Sequence, residues 1–118
     1  MFLQVNAKGD GPPIVLIHGA LLDSRFWEPQ LAAFSASGYR AIALGLEGFW
    51  PDTFDPGRFS AERHVRAIST FIGDYGRPVH LVGHSRGGRL ALAVAAQLPE
   101  HIASLVLVEA GEIGRAHV

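Results

Sequence analysis

The sequence predicts an α/β protein of three layers, in which a mostly parallel β-sheet lies between helices. Short, unbroken apolar runs alternate along the chain with stretches whose apolar residues recur every three or four positions. Strands buried on both faces of a parallel sheet give such runs, and amphipathic helices give the longer spacing. The chain has 118 residues, of which 48% are hydrophobic and 18% charged, and this composition fits a single folded domain.

Charge and composition exclude several classes of function. The formal net charge of −1 provides no basic surface for nucleic acid or for an anionic membrane. The lack of cysteine excludes disulfide frameworks, thiol nucleophiles and cysteine-based zinc sites. No apolar run reaches the roughly 20 residues of a membrane span, and no signal-type segment follows Met1. We therefore expect a cytoplasmic protein with no nucleic-acid partner, membrane partner, metal or cofactor.

The first half of the chain predicts two buried strands around one helix. Ile14–Ile17 is an unbroken apolar run that follows two prolines, which is typical of a buried strand. Pro29–Ser37 is predicted to be a helix, because proline suits the first turn and Gly38 suits the end. Tyr39–Leu44 follows as a second buried strand, and Phe2–Val5 is a candidate peripheral strand.

The second half repeats the alternation after a long loop. Residues 45–59 are rich in glycine, proline and aromatic residues, and a loop of this length is expected to line a site. Ser60 can cap a helix whose apolar face contains Val65, Ile68, Phe71 and Ile72. The remaining predicted elements are strand Val79–Val82, helix Arg86–Leu98 and strand Leu105–Val108.

A glycine-flanked serine follows the third buried strand, within the segment Gly83-His84-Ser85-Arg86-Gly87 and before Gly88. In a G-x-S-x-G turn between a strand and a helix, small neighbours let the serine hydroxyl stand above the sheet. The next amide opens the helix, where its N–H and the helix dipole can stabilise a developing oxyanion. The alternative is a glycine-rich turn whose serine only caps the helix.

A second short motif, His18-Gly19-Ala20-Leu21, follows the first buried strand. The carboxyl ends of parallel strands meet at one edge of the sheet, so a backbone N–H here can supply a second oxyanion donor. Alone, this motif is equally consistent with a simple turn.

The motifs resemble the N-terminal part of an α/β-hydrolase fold protein. The resemblance covers nearly the whole chain and rests on Ile14–Gly19, the turn at Ser24–Pro29, Leu81–Gly88, and Pro99-Glu100 before Leu105–Val108. After its fourth strand the family often has Asp-x-Arg-Gly-x-Gly, whereas this chain has Gly45-Leu46-Glu47-Gly48-Phe49-Trp50. This departure from the commonest subgroups leaves the substrate open.

The resemblance implies roles for individual residues. Ser85 is the implied nucleophile, and the backbone amides of Ala20 and Arg86 are the implied oxyanion donors. The four buried strands correspond to the third to sixth strands of the family. The supporting structural motif consists of His18, Gly19, Gly83, His84, Gly87 and Gly88.

The remaining catalytic groups are not evident. In this family an acid and then a histidine follow the serine along the chain. Glu109, after the last predicted strand, is either that acid or a hydrogen-bonded, partly buried strand-end residue. His101 and His117, the only histidines after Ser85, are not placed to reach it. We expect the catalytic histidine, and the acid unless Glu109 supplies it, to be missing from this sequence.

The expected domain organisation follows from that gap. Residues 1–111 are expected to be an incomplete α/β-hydrolase domain, truncated after the sixth strand of the family. Residues 112–118 are expected to be a non-native tail, because one coding of this segment reads as a common sequencing-adapter sequence.

The sequence therefore predicts a serine hydrolase that cleaves an ester, thioester or related acyl bond of a small molecule, and that is nearly inactive as a fragment. Serine in place of aspartate as nucleophile argues against epoxide-hydrolase or dehalogenase chemistry. The alternatives are acyl transfer, lyase or perhydrolase chemistry on the same fold, and a non-catalytic ligand-binding module.

Other side chains near the motifs have structural interpretations as well. His18 and His84 are predicted to pack and form hydrogen bonds. The Arg86 side chain either touches an anionic substrate or is solvated or paired with a carboxylate. Trp27 and Trp50 either line an acyl pocket or are buried, Trp27 in the core and Trp50 in its loop.

Overall fold

The computed structural model describes residues 2–109, so the predicted tail at 112–118 lies outside the described residues. Within that range, strands and helices alternate largely as predicted. The elements are β1 (Leu3–Lys8), β2 (Pro13–Ile17), α1 (Glu28–Ala36), β3 (Arg40–Leu46), α2 (Ala61–Asp74), β4 (Val79–His84), α3 (Arg86–Gln97) and β5 (Ile102–Val108). Short 3₁₀ helices span Ser24–Trp27, Pro56–Arg58 and Pro99–His101.

The strands form one sheet with the order β1-β3-β2-β4-β5. β2 pairs in parallel with both β3 and β4, and β5 pairs in parallel with β4. Among the described strands, only β1 is antiparallel, and it lies at the edge beside β3. The predicted mostly parallel sheet is confirmed, and four strands end at a common edge.

Helices cover both faces of the sheet, which confirms the three-layer prediction. β2 is buried at all five positions, as expected for a central parallel strand. The core under α2 and α3 contains Val15, Ile17, Ile42, Leu44, Leu46, Ile68, Ile72, Val79, Leu81, Leu90, Ala91 and Val94. The smaller core under α1 contains Ile14, Leu16, Trp27, Leu31, Ala41 and Ala43.

All five described strands are longer than predicted because pairing extends them; β2 begins at Pro13 and β4 continues to His84. β3 continues to Leu46, which pairs with Leu3 of β1. β5 begins at Ile102, which pairs with Val79 of β4. β1 continues to Lys8 along the same antiparallel ladder. The sequence patterns predict that these strands exist, whereas pairing with the neighbouring strand fixes their bounds.

α2 begins where it is predicted to begin. The Ser60 hydroxyl accepts a hydrogen bond from the Arg63 N–H at 3.1 Å and so caps the helix. The buried residues of α2 are His64, Ala67, Ile68 and Ile72. The buried stripe therefore begins with a histidine, four residues before Ile68. Within residues 2–109, no helix has the length and apolar character required to cross a membrane.

Candidate active site

Ser85 lies in the sharp connection between β4 and α3, which we name the Ser85 turn (residues 83–88). Its φ of 56° and ψ of −121° are rare for a non-glycine residue. Its N–H donates to the Val108 carbonyl at 2.9 Å, and its carbonyl accepts from the Gly88 N–H at 2.8 Å. The Ser85 side chain makes no capping hydrogen bond to α3. This geometry does not support the alternative in which the serine only caps the helix.

Two glycines permit the Ser85 turn because backbone atoms occupy the space of a side chain. A Cβ on Gly83 would lie 2.7 Å from the Cα of Gly88. A Cβ on Gly87 would lie 2.5 Å from the carbonyl oxygens of both Ile17 and His18. These distances are well inside van der Waals contact, so even alanine requires the backbone to move. The close approach of α3 to the end of β2 explains Gly87, and the close approach of the first turn of α3 to the end of β4 explains Gly83.

The loop after β2 lies directly against the Ser85 turn. A Cβ on Gly19 would lie 3.3 Å from the Cβ of Ser85, so the backbone leading into Ala20 is beside the serine. The Gly19 carbonyl accepts from the Leu22 N–H at 3.3 Å, and the chain turns at Ala20. Within residues 2–109, the amides of Ala20 and Arg86 donate no hydrogen bond. Arg86 therefore lies within the Ser85 turn and Ala20 follows a residue that is next to Ser85, and both N–H groups lack an acceptor among the described residues.

His18 is a buried structural residue at the end of β2. The Leu46 N–H donates to its Nε2 at 3.2 Å, so the ring proton lies on Nδ1, which donates to the Gly19 carbonyl at 3.0 Å. Burial is the main cause that lowers the pKa of His18 below its ordinary value of 6.5. The neutral ring thus connects the carboxyl ends of β2 and β3 and helps to place the adjacent loop.

His84, the residue before the serine, packs against aromatic rings. Its ring centroid lies 4.7 Å from that of Phe26 and 6.5 Å from that of Trp27. Its buried Nδ1 has no hydrogen-bond partner among the described residues. The packing agrees with the prediction, whereas the expected hydrogen bond is not formed within residues 2–109.

Glu109 follows β5 and lies near His84. Its backbone φ is 51°, its side chain is 80% exposed, and one carboxylate oxygen lies 3.6 Å from His84 Nε2. The interpretation of Glu109 as a hydrogen-bonded, partly buried residue is wrong, because the strand ends and the side chain extends into solvent. Its assignment as a catalytic acid stays a prediction.

The two tryptophans have different environments. Trp27 is 4% exposed and packs in the core under α1, in agreement with one of its two interpretations. Trp50 is 49% exposed, so its predicted burial is wrong. The Arg25 guanidinium lies 3.6 Å from the centre of the Trp50 ring and is also paired with Asp23 at 2.9 Å. This contact joins the loop after β2 to the loop after β3.

Glu47 holds the loop that follows β3, and no sequence motif indicated this role. Glu47 begins the segment we name the Glu47 loop (residues 47–60), and its side chain is 3% exposed. Its carboxylate accepts from Arg63 Nε at 2.7 Å and from Arg58 Nη1 at 2.9 Å. The hydrogen bonds from Arg63 are the main cause that lowers the pKa of Glu47 to about 2. Glu47 stands where the family pattern has arginine, and this reversal of charge is the sequence feature that could have identified Glu47.

Arg86 and His64 form a second, partly buried contact, which no sequence motif indicated. Arg86 Nη2 lies 2.9 Å from His64 Nδ1, and the guanidinium lies 5.4 Å from the centre of the Phe59 ring. No carboxylate in residues 2–109 forms an ion pair with Arg86, so carboxylate pairing, one of the outcomes considered for this side chain, is not formed among the described residues. Burial is the main cause that lowers the pKa of Arg86 and also that of His64. In the described part of the chain, no group of three or more side chains could hold a metal ion.

The fold and the serine turn define the chain as an α/β hydrolase. A family model described as the alpha/beta hydrolase family matches residues 14–117. The chain therefore belongs to the alpha/beta hydrolase family.

Known proteins similar to this chain agree with the family assignment. The chain is 34% identical to "Putative carbamate hydrolase RutD" of Variovorax paradoxus over 97% of this chain and 44% of that protein. It is 28% identical to 2-hydroxy-6-oxo-6-phenylhexa-2,4-dienoate hydrolase of Comamonas testosteroni over 98% of this chain and 42% of that protein. The chain thus spans less than half the length of these relatives.

Solved structures similar to this chain also agree with the family assignment. The thioesterase domain from the curacin biosynthetic pathway superposes with a TM-score of 0.81 and 29% identity, over 87% of this chain and 38% of that chain. The epoxide hydrolase VrEH1 of Vigna radiata also gives a TM-score of 0.81 and 29% identity, over 89% of this chain and 35% of that chain.

Proposed function

We propose that this chain is the nucleophile-bearing part of a serine hydrolase that cleaves an ester, thioester or related acyl bond of a small molecule. The observation that carries the proposal is the backbone of Ser85, whose φ of 56° is maintained in a turn with no capping role for the hydroxyl. Strain of this kind concentrates at functional sites, because only a tightly packed surrounding structure can hold it.

In the proposed mechanism, Ser85 Oγ attacks the carbonyl carbon of the substrate and gives up its proton to a general base. The amides of Ala20 and Arg86 donate to the oxyanion that forms, and the positive end of the α3 dipole adds to this stabilisation. The leaving group takes the proton, and water then hydrolyses the acyl-enzyme.

The names of similar proteins do not select one substrate. They include a carbamate hydrolase, a dienoate hydrolase and an epoxide hydrolase. Ser85 in place of aspartate favours acyl chemistry over epoxide opening, which uses a carboxylate nucleophile in the families that resemble this one. Acyl transfer, lyase and perhydrolase chemistry, or ligand binding without catalysis, are the alternatives.

We also propose that the general base belongs to a part of the full-length protein outside this chain. Among residues 2–109, no histidine forms a hydrogen bond with Ser85. A serine without its base is a weak nucleophile, since its hydroxyl stays protonated near neutral pH. The chain of 118 residues is then expected to retain only the ~10³–10⁴-fold acceleration that binding and an oxyanion site provide.

Covalent labelling of the full-length protein with a fluorophosphonate probe tests this proposal. We expect labelling of the wild type and none of Ser85→Ala. Ser104→Ala is the matched control, because the Ser104 hydroxyl, unlike that of Ser85, already lies 2.7 Å from an imidazole nitrogen, His80 Nδ1, within the described residues. If labelling persists in Ser85→Ala and disappears in Ser104→Ala, then Ser104 is the nucleophile and the proposal is wrong. No labelling of a well-folded wild type would favour the ligand-binding alternative.

A further inference from the structure

The side chain of Arg86, in the Ser85 turn, forms a hydrogen-bond contact with α2. Arg86 is the first residue of α3, and its guanidinium contacts His64 Nδ1 at 2.9 Å. A guanidinium can only donate hydrogen bonds, so this contact requires a free lone pair on Nδ1. The Phe59 ring covers the guanidinium from the Glu47 loop at 5.4 Å. The arginine that follows the candidate nucleophile is therefore held at both ends, by its backbone in α3 and by its side chain against α2.

The other nitrogen of His64 determines which form of the ring is present. His64 Nε2 lies 2.8 Å from the backbone carbonyl of Glu47, which can only accept. The ring proton therefore lies on Nε2, and Nδ1 is left to accept from Arg86. His64 is 1% exposed, so water does not replace either partner. The two contacts together require one neutral tautomer in one orientation.

The acceptor carbonyl is itself fixed in place. The Glu47 carboxylate is held by Arg63, on the same turn of α2 as His64, and by Arg58 on its own loop. The N-cap at Ser60 fixes the start of that helix. Glu47 is thus bound to the helix that carries His64. Its carbonyl, which accepts from His64, is therefore held in place, and so is the ring that contacts Arg86.

We propose that His64 is a positioning residue for the oxyanion site, acting through the guanidinium of Arg86. The inference rests on the proposed function, because it concerns the amide of Arg86 as a donor. As the first residue of a helix, Arg86 has an N–H with no acceptor inside the helix, so hydrogen bonding within α3 does not hold it. Anchoring its side chain restricts the first turn of α3 and keeps that N–H directed at the oxyanion position. Small errors in such positions reduce rates strongly.

Steady-state hydrolysis of p-nitrophenyl acetate by the full-length protein provides the test. His64→Leu removes both hydrogen bonds, and Arg86→Met removes the guanidinium but keeps the amide. We expect each variant to lower kcat by about tenfold and to leave KM within about twofold, because the lost contact acts in the transition state. The double variant is expected to be no slower than either single variant, since both remove one link.

A conservative variant and a control separate positioning from a merely structural role. His64→Gln keeps one donor and one acceptor and is expected to recover part of kcat. His80→Leu is the control, because His80 pairs with Ser104 on β5 and does not touch the Ser85 turn. Its kcat and KM are expected to equal those of the wild type.

Several results would overturn the inference. An unchanged kcat in Arg86→Met would do so even if His64→Leu failed to fold. Additive losses in the double variant would do so as well, and so would an effect confined to KM. The proposed function fails separately, if Ser85→Ala retains wild-type hydrolysis.

Discussion

The Ser85 turn and the Glu47 loop both lie at the carboxyl edge of the sheet, yet different forces fix them. The turn is held by backbone atoms at van der Waals contact, such as Gly87 against the carbonyls at the end of β2. The loop is held by charged side chains, with the buried Glu47 carboxylate bound by Arg58 and Arg63. The turn is fixed by contacts with the neighbouring strands β2 and β5, whereas the partners of Glu47 lie 11 and 16 residues further along the chain.

The Ser85 turn and the Glu47 loop are therefore expected to be sensitive to different changes. The backbone of the turn is close-packed and excludes an added Cβ at Gly83 or Gly87. The loop depends instead on the protonation of the Glu47 carboxylate. All the variants are to be measured in the full-length protein.

The largest expected effect is in the turn. Gly87→Ala places a Cβ 2.5 Å from two backbone oxygens, and no flexible side chain can move aside. We expect the free energy of unfolding to fall by about 3 kcal/mol, measured by urea denaturation. Gly73→Ala, on α2, is the matched control, because its Cβ meets no atom within 4 Å. It should stabilise the protein by about 0.5–1 kcal/mol, as alanine does in a helix. Equal changes in both variants would contradict the packing argument.

The next effect is expected in the loop. Glu47→Gln removes the negative charge that two arginines share inside the protein, and we expect a clearly lower melting temperature by circular dichroism. Asp55→Asn is the matched control, because Asp55 also pairs with Arg58, at 3.2 Å, but its side chain is 49% exposed. Exposed ion pairs contribute little, so this control should barely change the melting temperature. A larger loss in Asp55→Asn than in Glu47→Gln would refute the role of Glu47.

Acid should weaken the contacts around the loop in two steps. Burial lowers the pKa of His18 and His64 below 6.5, so the unfolded chain takes up protons first and stability falls as the pH drops below 6.5. Arg63 lowers the pKa of Glu47 from 4.5 to about 2, so a further loss is expected between those values.

Melting temperature measured against pH would reveal both steps. His64→Leu should reduce the first step, and Glu47→Gln should reduce the second. Stability that stays constant from pH 6.5 down to pH 2 would show that these groups do not titrate with folding.

The smallest expected effect is at the tip of the loop. Trp50→Ala removes the ring that Arg25 covers, but Arg25 keeps its pair with Asp23, and Trp50 is half exposed. We expect no resolvable change in melting temperature, because stacking of an exposed cation on a ring is weak. A loss as large as that of Glu47→Gln would mean that Trp50, and not Glu47, holds the loop.

Much of the candidate site follows from residues that are adjacent in the chain. The strand before Ser85, the glycines around it and the helix after it occupy one short segment, so the motif can be recognised from local sequence, although contacts with β2 and β5 hold its geometry. His64 is an intermediate case. Its spacing of four residues from Ile68 indicates the buried side of α2, but nothing local indicates that Arg86 is its partner.

The order of apolar runs, helical spacings and glycines was enough to predict the layered α/β fold and the serine turn, because the patterns that indicate them lie within short segments of the chain. Folding alone brought Glu47 to Arg58 and Arg63, His64 to Arg86, and β1 antiparallel to β3. These pairings join groups that are distant along the chain. Their energy depends on desolvation and three-dimensional distance, which no local pattern of residues contains.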